Sequence, residues 1–106
     1  MSLAAPQSTF HAIADPTRRQ LLTLLRAGEL SASELAEPFQ QSRSAVSQHL
    51  AILVHGGLVV RRRTGRQQIY RLQAQPLGEV ARWAAEFDAF WDKKLMQLGQ
   101  YLEENE

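Results

Sequence analysis

Residues 42–66 read Ser42-Arg43-Ser44-Ala45-Val46-Ser47-Gln48-His49-Leu50-Ala51-Ile52-Leu53-Val54-His55-Gly56-Gly57-Leu58-Val59-Val60-Arg61-Arg62-Arg63-Thr64-Gly65-Arg66. Two periodicities meet inside this stretch. Up to His55, Val46, Leu50 and Leu53 recur every three or four positions, the spacing of one helix face. Ser42 can accept from an exposed amide at the helix start, and Gly56-Gly57 is a firm stop. Beyond the glycines, Leu58–Arg63 and Gln67–Leu72 carry Val59, Val60, Ile69 and Tyr70 and read as strands around a Thr64-Gly65-Arg66 turn. The pattern predicts a helix over 43–55, followed at once by a β-hairpin.

Toward the N-terminus, Asp15-Pro16-Thr17 is a helix opening: Asp15 caps, and Pro16 sits where its missing donor costs nothing. Leu21, Leu22, Leu24 and Leu25 follow as an apolar stripe, and Gly28 closes the element. Ser31-Ala32-Ser33-Glu34 has capping-box spacing and opens a short helix with Leu35 and Ala36, limited by Pro38. The first fourteen residues, with Leu3, Ala4, Ala5, Phe10, Ala12 and Ile13, suggest a short amphipathic helix. Two short helices joined tightly, the second polar on its outer face, outline a helix-turn-helix. The hairpin after it is a wing.

Toward the C-terminus, Pro76 opens an element expected to run as one helix to about Glu103. Leu77, Val80, Ala84, Phe87, Trp91, Leu95, Leu98 and Leu102 form one stripe, and Trp83, Phe90 and Tyr101 a second. Such a helix is about 40 Å long, more than a core this small can cover. A purely internal role would leave several of its aromatics in water. The expected partner is a second copy, across an interface of Phe10, Leu77, Val80, Trp83, Phe87, Phe90, Trp91, Leu95, Leu98, Tyr101 and Leu102.

Length and composition narrow the function classes. The 106 residues fit one domain, with no room for a separate catalytic unit. There is no cysteine, which removes disulfides and zinc-thiolate sites. Neither a membrane span, a secretory signal nor an internal repeat is apparent, so a cytoplasmic protein without membrane partners is expected. The net charge of +1 hides a polarity. Up to Gln75 there are nine basic and four acidic residues; from Pro76 on there are three basic and seven acidic. Between Glu37 and Glu79 no acid occurs, while Arg43, Arg61, Arg62, Arg63, Arg66 and Arg71 all do. A neutral chain with one acid-free, arginine-bearing segment has a polarised surface.

The order of helices, wing and long terminal helix resembles the ArsR/SmtB family of bacterial winged-helix repressors, from about Phe10 to Leu102. The resemblance is carried by Asp15-Pro16-Thr17-Arg18, by Ser44-Ala45-Val46-Ser47-Gln48-His49-Leu50, and by Gly57-Leu58-Val59 leading to Gly65-Arg66 and Tyr70-Arg71-Leu72. It implies a mainly α fold with a β-hairpin wing, in the order α-α-α-α-β-β-α, as a single domain dimerising through its terminal helices. Metal-sensing members of the family carry Glu-Leu-Cys-x-Cys-Asp-Leu, where this chain has Glu29-Leu30-Ser31-Ala32-Ser33-Glu34-Leu35. Neutral hydroxyls are poor ligands for soft metals. Zinc and nickel sensors place Asp and His on the last helix; here Asp88 and Asp92 stand there without a histidine, the only ones being His11, His49 and His55. No metal site and no cofactor is expected.

The implied function is a homodimeric repressor that binds a palindromic operator in double-stranded DNA, with half-sites roughly 10 bp apart. Ser42, Arg43, Ser44, Ser47 and Gln48 would reach bases and phosphates; arginine suits guanine, and glutamine adenine. The resemblance adds His49 as a DNA-facing position, against a packing or capping role. Arg61, Arg62, Arg63 and Arg66 would meet backbone or minor groove. Strand alternation sets Arg62 opposite Arg61 and Arg63, which favours Arg63 and Arg66 near the turn. The alternative is a winged-helix module that docks a protein, against which the serine-rich outer face argues. An enzyme has little support: Ser47 and His49 are two apart on a helix and do not face each other, and His55 suits the helix dipole. The releasing signal stays open between a small molecule, a partner protein and none; Phe87, Phe90 and Trp91 could line an apolar pocket or be interface core.

Overall fold

The computed structural model describes residues 8–105, so Leu3, Ala4 and Ala5 lie outside the described residues. The elements run α1 (Thr9–Ala12), α2 (Pro16–Leu25), β1 (Leu30–Ser31), α3 (Ala32–Ala36), α4 (Arg43–His55), β2 (Val59–Thr64), β3 (Gln67–Leu72), α5 (Leu77–Ala85) and α6 (Asp88–Glu104).

Four of the first helices start on a side-chain cap. The Ser8 hydroxyl accepts from the His11 N–H. Asp15 Oδ2 accepts from Thr17 N at 2.8 Å and Arg18 N at 3.2 Å, with Pro16 in the first turn. In α3 both halves of the capping box form, Ser31 N donating to Glu34 Oε1 at 2.9 Å and Glu34 N to Ser31 Oγ at 3.1 Å. Ser42 Oγ accepts from Ala45 N at 3.1 Å, and α4 stops at Gly56, with Gly57 left-handed at φ 79°.

The wing pairs β2 and β3 antiparallel, from Val59 opposite Leu72 to Thr64 opposite Gln67. Only Gly65 and Arg66 remain to turn the chain, and Gly65 takes φ 61°, the glycine-first geometry that matches strand twist. A third strand joins the sheet. The two residues of β1 pair with β3, Leu30 with Tyr70 and Ser31 with Ile69, giving the order β1-β3-β2. Two residues are too few to show an alternation, and Ser31 doubles as the cap of α3, which hides the strand in the sequence.

The core lies between α2, α3, α4 and the sheet. Leu21, Leu25, Leu35, Val46, Leu50, Leu53, Leu58 and Val59 are fully buried, and Tyr70 closes the layer from β3. Buried leucines thus come from each of α2, α3 and α4, with Leu58 leading into the sheet.

The C-terminal element is two helices, not the single one expected. The N–H groups of Glu86 and Phe87 bond back three residues, to Trp83 and Ala84. Phe87 sits at φ −101°, ψ 5°, outside the helical well. Trp83, Phe87, Phe90 and Trp91 crowd this stretch, and aromatic side chains lose rotamer freedom in a helix. Trp83 packs edge-on against Phe87 at 5.2 Å and against Phe10 at 5.7 Å, and this trio occupies the bend. Asp88 then opens α6 with a charge that suits a helix N-terminus. No residue of α5 or α6 is buried. The radius of gyration, 18.3 Å, exceeds the ~13 Å of a compact chain of this length, so the arm projects away from the core.

Candidate nucleic-acid interface

Helix α4 is two-faced. Val46, Leu50 and Leu53 face the core, while Ser42, Arg43, Ser44, Ser47 and Gln48 are all exposed. Arg43 and Ser47, and Ser44 and Gln48, are four apart, so they form one ridge at the N-terminal half of the helix. Every member is a donor, an acceptor or a cation, and none is an acid.

The wing arginines divide by what they already touch. Arg62 donates to Glu29 Oε2 at 2.6 Å, reaching from β2 across β3 to the residue before β1. The Arg62 hydrogen bond, with the charges of Arg62 and Arg71, holds the Glu29 carboxyl below its ordinary value against a smaller effect of burial. Arg63 folds back, its Nε donating to the Gly65 carbonyl at 3.2 Å. Among the described residues, Arg61 and Arg66 take no side-chain hydrogen bond. Arg66 and Arg43 line one cleft with Ser31, Ser33, Gln67 and Gln68, so wing tip and helix start converge. Sequence alternation separated Arg62 from its neighbours, but its ion pair is a long-range fact that no local pattern carries.

His49 is half-buried. Its Nδ1 lies 3.2 Å from Arg18 Nη1 and 3.8 Å from Asp15 Oδ2. Arg18 is itself buried and fixed, Nε donating to Ala12 O at 2.7 Å and Nη2 to His11 O at 3.1 Å. Desolvation raises the Asp15 carboxyl, but the Arg18 N–H, His49, the Thr17 N–H and the Arg18 charge together bring it below its ordinary value. Arg18 was not among the expected site residues; its only sequence sign was its place in the Asp15-Pro16-Thr17-Arg18 opening.

None of the expected dimer residues lines the cleft of Arg43 and Arg66. Leu77 and Val80 are partly covered, whereas Phe10, Trp83, Phe87, Phe90, Trp91, Leu95, Leu98, Tyr101 and Leu102 are exposed, Trp91 and Leu95 by 59% and 62%. Beyond Leu77, Val80 and the Phe10 contact on Trp83, α5 and α6 thus carry a long apolar surface in which no residue is buried by their own protomer.

Comparison with known proteins bears on this geometry. Residues 15–60 match the bacterial regulatory protein family arsR. The HTH-type transcriptional regulator Rv2034 of Mycobacterium tuberculosis is 36% identical over 93% of this chain and 90% of its own length. The chain belongs to the ArsR family. The transcriptional repressor SdpR of Bacillus subtilis is 36% identical over 76% of this chain and 89% of its own. An ArsR-like transcriptional regulator from a Rhodococcus species has a solved structure that superposes with a TM-score of 0.69, at 37% identity, covering 94% of this chain and 92% of that one. The winged helix-turn-helix is therefore the fold of an ArsR-family, DNA-binding transcriptional regulator, and not of an enzyme.

The thiol positions of metal-sensing ArsR members do not fit a soft metal here. Ser31 is buried, with its hydroxyl accepting from Glu34 N, and Ser33 offers a second neutral hydroxyl.

Proposed function

We propose that this ArsR-family regulator is a homodimeric repressor that reads a palindromic operator and acts in the cytoplasm. One observation supports it above the rest: Arg43, at the start of the acid-free ridge of α4, and Arg66 of the wing, which takes no side-chain hydrogen bond among the described residues, line one cleft. Helix α4 enters the major groove with Ser42, Arg43, Ser44, Ser47 and Gln48. Arg61 and Arg66 meet phosphates, whose neutralisation needs cations without adjacent carboxylates. Helices α5 and α6 pair with those of a second protomer, with Phe10 beside them. The serines at positions 31 and 33 leave release to a signal other than a soft metal at that site. Titration against the DNA upstream of its own gene, beside scrambled DNA of equal length, tests the reading. Preference for the former, at a stoichiometry of two chains per site and unmoved by arsenite or cadmium, is expected. Equal affinity for both DNAs removes the repressor assignment.

A further inference from the structure

Three features stand outside the account above: the apolar groove beside Arg19 and Arg26, the polar cleft of Ser33, Glu34, Glu37 and Gln41, and the buried guanidinium of Arg18 against His49. The last is carried furthest by its distances. We infer that Arg18 sets the tautomer of His49 and so makes it a hydrogen-bond donor, through Nε2–H, to a DNA phosphate beside α4. The donor half rests on the DNA-binding reading above; the tautomer half does not.

A guanidinium has five N–H donors and no acceptor. The 3.2 Å contact from Arg18 Nη1 therefore needs a lone pair on His49 Nδ1, which places the neutral ring's proton on Nε2. Arg18 cannot turn to suit the other tautomer. Its Nε and Nη2 are held by the carbonyls of Ala12 and His11 at 2.7 and 3.1 Å, and 8% of the residue is exposed. Asp15 does not compete for an Nδ1 proton at hydrogen-bond length. Its Oδ2 is 3.8 Å away and already accepts from two backbone N–H groups.

The ring's Nε2–H is then the donor left without a protein acceptor among the described residues. The side chain is 22% exposed, and among the described residues no group bonds Nε2. It lies on α4, within the segment free of acids. A phosphate oxygen is an acceptor only, and a single fixed N–H suits it better than a base edge, where discrimination comes from paired contacts. A neutral donor also displaces no counterion, so His49 should add affinity without salt dependence.

The test has two arms on the full-length chain. In free protein at neutral pH, nitrogen-15 to proton correlation spectra should show His49 protonated at Nε2 alone; an Nδ1–H ring or an averaged mixture overturns the assignment. Arg18→Gln should convert the pattern to a mixture. In DNA titrations, His49→Asn keeps an acceptor for Arg18 but has no atom at Nε2, and should lower affinity for the upstream fragment about ten- to a hundred-fold per dimer, with an unchanged salt slope. His49→Gln, with an amide near the Nε2 position, should recover most of that affinity. Wild-type affinity in His49→Asn overturns the donor role. Absence of DNA binding by the wild-type chain instead overturns the function proposed above and the donor role with it, while the spectrum still decides the tautomer.

Discussion

Arg62 and Glu29 are joined across the central strand of the sheet by a hydrogen bond of 2.6 Å. The middle member of a three-arginine run is thus turned along the sheet, toward the acid just before β1. Both groups stay substantially exposed, so the pair orients the wing more than it stabilises it.

This division of labour predicts different salt responses. Arg66→Ala should reduce the slope of log affinity against log salt by about 2 per dimer, one phosphate contact being lost from each protomer. Arg62→Ala should leave the slope nearly unchanged, and Glu29→Gln should steepen it by freeing Arg62. Fluorescence anisotropy over a potassium chloride series reads all three. Equal slopes in the wild type and Arg66→Ala would remove the wing from the interface.

Asp15 links the cap of α2 to acid stability. Its carboxyl lies below the ordinary value in the fold, so its contribution is present above about pH 4 and is lost as pH falls through the folded value. Asp15→Ala should cost about 1 kcal/mol at pH 7. The gap from wild type should close in acid. Urea titrations at pH 7 and pH 3 check both statements.

Leu50 has no exposed surface and sits at the centre of the core. Leu50→Ala should destabilise the protein by about 2–5 kcal/mol, partly through the cavity it leaves. Urea midpoints should fall by the corresponding amount.

The C-terminal arm should respond differently. Trp91→Glu with Leu98→Glu places charges on the exposed apolar surface, and should weaken self-association by more than about 30-fold. Sedimentation velocity should show a monomer at concentrations where the wild type is expected to sediment as a dimer. Upstream-DNA binding should weaken in parallel. A wild-type chain that is monomeric at every concentration would refute the interface.

What the sequence disclosed depended on how local the signal was. For α4, a capping serine, a leucine stripe and a glycine pair agree, and its bounds are those expected. The wing was legible from β-branched residues around Gly65. Strand β1 was not, because two residues carry no period and Ser31 already had a role as a cap. The bend at Phe87 was missed because aromatic stripes continue through it in register, while their poor helix propensity appears only in the backbone. At the interface, the exposed ridge could be named residue by residue. The partners of His49 and Arg62 could not, since Arg18 and Glu29 lie 31 and 33 positions away and reach them only through the tertiary fold.

Helix α6, 17 residues with none buried in its own protomer, bears on how long the protein lasts. A helix of that length without tertiary support is marginal in water, and a segment that frays is one a protease can enter. On the dimeric reading, pairing shields the arm and separation exposes it. Turnover would then fall on lone protomers, and the active population would decline faster than dilution by growth alone, giving the regulated gene a sharper recovery once synthesis of the regulator stops.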